Sequence, residues 1–317
     1  MFKSLVVYKM SNDFDVSTEE LAKALPNFTY SPCGSQDMKK TGWVASLEGS
    51  QELLHSSNGH LLLTIMTEEK IIPAAVIKDC LDEKIEKIEE AQGRKLKKTE
   101  KDSLKDEVLH ELLPRAFSKY NKTLIWIHNA SKRIMVEAGS AKKAEDALAL
   151  LRKTLGSLPV VPFNTETPIE LTLTSWIREQ SIPDGFTVLD EAELKAILED
   201  GGVITSKKED LFNDEIKQHI EAGKMVTKLA IDWREKISFV LTSDGLLKRI
   251  KMSDAVMEQN SDIDKEDAAQ KFDADFVLVT GELIQMLDDI DKVFGAVENN
   301  GQSDEDGSEN ESDSEEE

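Results

Sequence analysis

Arg94-Lys-Leu-Lys-Lys-Thr-Glu-Lys-Asp-Ser-Leu-Lys105 holds six basic residues in a chain of 317 whose net charge is −23. On a helix at about 100° per residue, Arg94, Lys97, Lys98, Lys101 and Lys105 share one stripe about 100° wide. Leu81, Ile85, Ile88 and Leu96 fall on the opposite side. The pattern predicts one long helix, Ala74 to Leu113, with an apolar back, a basic front and a weak point at Gly93. Such a helix docks on its own core and offers its front to a polyanion. At ~1.5 Å per residue the stripe runs roughly 16 Å, close to five base pairs of duplex.

Outward from this helix, the pattern is of short strands and helices in runs. Ser4 to Met10 reads as a first strand rather than a leader peptide. Ser17 to Leu25 reads as a helix capped by Ser17 or Thr18. Thr41 to Ser46 and His60 to Met66 read as strands, with Asn58-Gly59 as a hairpin turn, and Thr67-Glu-Glu-Lys70 as a turn into Ile71-Ile72. Thr123–His128 and Arg133–Glu137 bracket another hairpin, and Ser140 to Leu155 is an amphipathic helix. Pro159-Val-Val-Pro162 reads as a linker, so the expected division is 1–162, 163–297 and an acidic tail, 298–317.

Beyond the linker, Pro168 to Arg178 and Asp214 to Ala222 are expected helices. Asp190 to Leu198 suits helix or strand equally. Val226–Trp233, Lys236–Thr242 and Leu246–Met252 form a meander, followed by a strand at Phe272–Val279 and a last helix at Gly281–Val293. The class is α+β, with antiparallel sheets and a long basic helix.

The bulk numbers exclude several roles. No run approaches the ~20 apolar residues of a membrane span. Cys33 and Cys80 form neither a metal pair nor a disulfide framework, which suits a reducing cytosol and two buried small hydrophobes. From Glu298 to Glu317 there are ten acidic residues and no Lys or Arg, a composition expected to be disordered. Those ten acids account for the step from −23 to −13, so the remaining body is still acidic. An acidic body binds a polyanion only where its cations are concentrated on one surface.

Catalytic patterns are missing. His55, His60, His110, His128 and His219 have no zinc-ligand spacing, and there is no phosphate loop or nucleophile elbow. Asp262-Ile-Asp-Lys-Glu-Asp267 lacks the glycine of a calcium loop and reads as a solvated helix start. No cofactor is expected and no reaction is suggested. What remains is basic. Arg115-Ala-Phe-Ser-Lys-Tyr120 mixes the cations Arg115 and Lys119 with Phe117, which could stack on a base or sit in a core. Lys122 follows, Lys132-Arg133 sits at a hairpin turn, and Lys207-Lys208 is a second basic point. Residues alone leave two functions open: DNA binding, or an acidic scaffold or chaperone-like protein that binds basic partners.

Several strings resemble the recombination-associated RdgC family of proteobacteria. They are Ser31–Met38, Gln92–His110, Leu112–Ser118, Ala141–Asp146, Gly156–Pro162, Glu191–Lys195 and Phe272–Phe276, collinear from Met1 to about Val293. The resemblance implies a horseshoe-like subunit that closes into a ring-shaped homodimer around double-stranded DNA, with single-stranded DNA as a further partner. It implies no sequence preference, no catalysis, a nucleoid location in the cytoplasm and restraint of RecA. By position, Phe117 matches an aromatic near the ring opening and Lys207-Lys208 a basic gate pair, followed here by Glu209 where the family often has glutamine. The acidic tail lies outside the resemblance and is expected to compete with DNA for the basic lining.

Overall fold

The computed structural model describes residues 1–198, 201–263 and 267–295. The expected disordered tail, 298–317, and the middle of the 262–267 acidic run lie outside the described residues. In chain order the elements are β1 (Ser4–Met10), α1 (Thr18–Ala24), β2 (Lys39–Val44), β3 (Leu54–Ser57), β4 (His60–Ile71), α2 (Ala74–Gln92), α3 (Lys98–Leu112), β5 (Phe117–His128), β6 (Arg133–Val136) and α4 (Ala141–Leu155). There follow β7 (Val160–Pro162), α5 (Ile169–Glu179), β8 (Phe186–Ala196), β9 (Val203–Lys207), α6 (Asp214–Glu221), β10 (Lys224–Trp233), β11 (Ile237–Thr242), β12 (Leu247–Met252), α7 (Asp254–Met257) and α8 (Ala268–Phe294). The class is α+β: helices come in groups beside an open sheet whose strands pair in the order β2-β4-β5-β6-β1-β12-β11-β10-β8-β9, with β3 on β4 and β7 on β1.

β1 joins the two halves of that sheet. Ser4 and Leu5 pair with Lys248 and Leu247 of β12, whereas Val6 to Lys9 pair with β6. The expected linker at 159–162 instead adds β7 along β1, with Tyr8 opposite Pro162 and Met10 opposite Val160. One apolar cluster runs through both halves, from Leu62, Trp126 and Met135 to Trp176, Leu229, Phe239 and Phe276. A second cluster, with Tyr8, Trp43, Ile65, Ile127 and Leu148, fills the other face of the N-terminal strands beneath α1 and α4. Two clusters follow from strand alternation: Leu61, Leu63 and Ile65 point one way and Leu62 the other.

Local signals behave as their chemistry requires. Ser17 caps α1 by accepting from the Glu20 N–H at 3.3 Å. Asn58 and Gly59 take the positive φ of a two-residue hairpin, 48° and 80°, between Ser57 and His60. The ambiguous 190–198 segment is mostly the end of β8, where Ala192 and Leu194 are buried.

Four expectations are corrected. The turn at 67–70 is absent because β4 runs on to Ile71, each residue paired across to β5. The strand expected at 272–279 is the first half of α8: Phe272, Phe276, Val279, Leu283, Met286, Ile290 and Phe294 recur at helical spacing and face the core. Asp267 caps this helix, accepting from the Gln270 N–H at 2.9 Å. The long helix is two helices, α2 and α3, separated at Gly93. Cys33 and Cys80 are half-buried rather than core residues.

Candidate nucleic-acid interface

β4 and β5 are 12 residues each and pair from His60–His128 at the base to Ile71–Phe117 at the tip. β6 covers β5 only from Ile125 to His128. The outer half of the ribbon is therefore an open edge on the β5 side, while β2 pairs with β4 from Thr64 to Glu69 on the other, and at ~3.4 Å per residue the whole ribbon spans roughly 40 Å. The α2–α3 hairpin stands on its tip. Together they form an arm.

Gly93 makes the hairpin. It takes the left-handed conformation, φ 64°, and its N–H closes α2 on the Glu89 carbonyl. Two carboxylates then hold the turn. Glu89 accepts from the Leu96 N–H at 2.9 Å and from Lys95 Nζ at 2.6 Å. Glu100 accepts from the Lys97 N–H at 2.7 Å and from both Arg94 amino groups, at 2.6 and 2.9 Å. The Arg94 fork, then the Lys97 N–H, hold the Glu100 carboxyl down at about 2. Lys84 of α2 donates to Glu107 and Glu111 of α3, at 2.8 and 2.7 Å. Leu96 and Val108 are buried, whereas no residue of α2 is. The expected apolar back of Leu81, Ile85 and Ile88 is thus a half-buried seam against α3.

The break changes the basic stripe. Arg94 is spent on Glu100 and Lys97 precedes α3, so the surviving helical stripe is Lys98, Lys101 and Lys105, about 60° wide at 100° per residue. Among the described residues these three, with Lys97, Arg115, Lys119 and Lys122, have no carboxylate within ion-pair distance. All seven lie on the arm. Other predicted cations have different work. Lys132 bridges to Asp15 at 3.0 Å and donates to the Phe14 carbonyl at 3.1 Å. Arg133 is buried and donates to Asp288 at 2.6 Å and Asp291 at 2.8 Å. The structure thus removes it from any solvent-facing surface, because β6 turns it inward onto α8.

Phe117 is 84% exposed at the arm's tip, beside Ile71 and Tyr120, also exposed. Neither core cluster includes it. Beneath it, Glu68 is a buried anchor. It accepts from Ser118 Oγ and Tyr30 Oη at 2.6 Å each, and from the Cys33 N–H at 2.8 Å. These bonds, the Ser118 hydroxyl first, lower its carboxyl to about 2. Burial, then the charge on Glu68, raises the Cys33 thiol.

On the α4 side of the strands, bordered by Lys143, Asp146, Ala147 and Leu150 of α4, lies a cleft of about 290 Å³ that sequence reasoning missed. Strand register builds its floor. Lys39, Glu69 and Lys119 form one rung across β2, β4 and β5, and Thr41, Thr67 and Asn121 the next. Lys143 at the start of α4 closes one side, with Lys122 at the rim. Alternation of Lys119, Asn121 and Thr123 is the signal that could have found it.

The other predicted basic pair is far away. Lys207 ends β9 and Lys208 follows it; β9 is the last strand of the sheet, with six strands between it and β5. Lys207 lies 3.8 Å from Glu191, and Lys208 adopts φ 59°. At the opposite end of β9, Val203 and the residues that follow β8, Ile197 and Leu198, are exposed, at 54, 73 and 78%. Phe117 and Lys207 are therefore not brought together within one chain.

The histidines pack rather than ligate. His60 and His128 stack at 4.4 Å, and the Trp126 indole N–H donates to His60 Nδ1 at 3.1 Å. His55 meets Asp273 at 3.2 Å between Phe272 and Phe276. Among the described residues no three His, Cys, Asp or Glu side chains are grouped to hold a metal ion, and no helix is long and apolar enough to cross a membrane.

The arm, the open sheet and the α8 dock are all contained in a match to a known family. A family model described as "RdgC: Putative exonuclease, RdgC" matches residues 1–297. The chain is 59% identical over 295 residues to proteins named recombination-associated protein RdgC from Yersinia enterocolitica, Yersinia pestis and Yersinia pseudotuberculosis. In each case the match covers 93% of this chain and 97% of the relative. Over its whole described length, this chain belongs to the RdgC family.

Proposed function

We propose that the protein binds double-stranded DNA without sequence preference, as a ring-shaped homodimer in the nucleoid of the cytoplasm, and so restrains RecA-mediated recombination. The observation that carries this reading is a group of cations on the arm that lack a carboxylate partner. In a chain of net charge −23, Lys97, Lys98, Lys101, Lys105, Arg115, Lys119 and Lys122 have, among the described residues, no carboxylate within ion-pair distance, and all lie on the arm. Their ammonium and guanidinium groups suit phosphate oxygens, which carry no sequence information. The ring supplies what an acidic body otherwise lacks, with cations inside and acids outside. It also supplies a reason for Phe117 and Lys207 to lie at distant points: two copies joined at both ends would bring such points near one another. The exposed apolar residues at the ribbon's tip and at the β8–β9 edge of the sheet support contacts at both edges. Single-stranded DNA fits the same lysines, with Phe117 and Tyr120 as stacking surfaces.

The test is charge reversal of Lys98, Lys101 and Lys105 to Glu. Duplex binding should fall by at least 100-fold at low salt while the fold, read by circular dichroism, is unchanged. Retained binding would sink the arm as the interface. A second reading, favoured by the wording of the family description, is exonuclease activity. In the proposal the protein acts by occupying DNA, not by cutting it. Progressive shortening of an end-labelled duplex with magnesium or manganese present would establish the second reading instead.

A further inference from the structure

Ten carboxylates between Glu298 and Glu317, with no basic residue among them, are the largest charge feature that DNA binding does not use. They follow the family match, which ends at residue 297. We propose that this segment is an internal DNA competitor that docks on the unpaired lysines of the arm. The proposal rests on the arm being the DNA site, and adds its regulation.

Three observations carry it. The first is charge complementarity. Among the described residues Lys97, Lys98, Lys101, Lys105, Lys119 and Lys122 of the arm have no carboxylate within ion-pair distance, while the segment offers an excess of carboxylates. The second is where α8 ends. Its last turns are tied to the N-terminal half of the sheet, through Asp291 to Lys9 at 3.1 Å and to Arg133 at 2.8 Å. Gly295 is pinned there, its carbonyl accepting from the Glu166 N–H at 2.9 Å. β6, which carries Arg133, is the sheet neighbour of β5. The third is length: the residues after Gly295 can extend at most ~75 Å at ~3.4 Å per residue, against roughly 40 Å of ribbon and ~22 Å of α3 beyond it.

Tethering makes weak contacts count. An effective concentration of the segment at the arm ten times its intrinsic dissociation constant would weaken DNA binding about tenfold. The salt dependence has a distinctive sign. DNA that displaces bound counterions gains their release entropy; DNA that displaces the segment does not, so fewer ions are released and the slope is shallower.

The experiment uses the full chain and a full-length variant whose ten acids from Glu298 to Glu317 are Gln or Asn. Binding of a random duplex is followed by anisotropy from 50 to 300 mM salt. In parallel, carbodiimide couples carboxylates to nearby lysines in the wild-type chain, and the linked peptides are mapped by mass spectrometry. The neutral variant should bind about tenfold tighter at 50 mM, with a steeper slope and a gap that closes by 300 mM. Crosslinks should join the segment to Lys98, Lys101, Lys105, Lys119 or Lys122 and disappear with excess duplex. Equal affinities, or crosslinks confined to Lys195, Lys224 and Lys248, would overturn the proposal. Arm crosslinks without duplex binding by either protein would overturn the DNA reading instead, and leave the docking supported.

Discussion

Arg133 of β6 and Asp291 of α8 lie 2.8 Å apart, joined with Asp288 in a bridge that fastens the last helix to the N-terminal strands. The arginine side chain is 6% exposed, so its two acidic partners need it more than any phosphate could use it. Removing one partner of such a bridge strands the others. Arg133→Met should cost about 3 kcal/mol in urea unfolding. It should leave duplex affinity within twofold once the protein is folded. A hundredfold loss of affinity in a folded Arg133→Met would show that Arg133 faces DNA after all.

The paired and unpaired cations of the original stripe should separate in a salt series. Each phosphate contact contributes about 0.9 to the logarithmic slope. Neutralising Lys98, Lys101 and Lys105 to Gln should therefore lower the slope by roughly 2.7 if all three touch phosphate. Arg94→Gln should change it by less than about 0.5, because Arg94 is committed to Glu100. Equal effects would return the stripe to a single undivided helix face.

Acid should loosen the junction around His60. Burial, and then the neighbouring His128, lower the His60 imidazole from its usual 6.5 to about 4, and His128 is lowered too, mainly by burial. Because the folded state holds His60 neutral, its contribution is fully present above pH 6.5. It is lost as pH falls from 6.5 towards 4, by on the order of 3 kcal/mol at most. Urea unfolding at pH 7.5 and pH 5 measures it. His60→Gln should flatten the pH dependence; an unchanged slope would place the titration elsewhere.

Gly42 of β2 has no room for a methyl group. A Cβ there would come within 2.4 Å of the Tyr30 backbone, which lies against β2 through the Tyr30 N–H to Trp43 carbonyl bond. Gly42→Ala should destabilise by about 1–3 kcal/mol and speed amide exchange around Tyr30 and Cys33. Normal protection there would mean that the backbone relaxes without cost.

The parts of this fold with short-range causes were legible in the sequence. Asn58-Gly59 has a hairpin turn's chemistry, Ser17 is a cap, and the Leu246–Met252 meander strand follows Asp244-Gly245. Phe272–Val279 was misread because Phe, Val and Val favour strands locally, while the deciding evidence was their phase with Leu283, Met286 and Ile290 further on. The arm was half legible. The stripe's lysines stand out in an acidic chain, yet which of them are free depends on Glu89 and Glu100 folding back around Gly93. Arg133 could not be read as buried, because both its partners come from a helix more than 150 residues away. The cleft was hidden for the same reason: Lys39, Glu69 and Lys119 meet only through strand register.

The most direct measurement is anisotropy of a fluorescent random duplex with the purified full chain, from 50 to 300 mM salt, repeated with an unrelated duplex sequence. The account predicts binding that weakens steeply with salt, along a line set by several phosphate contacts, and that is the same for both sequences. No binding at 50 mM, by the full chain or by its neutral-tail variant, would contradict it and return the arm's lysines to an ordinary solvated surface.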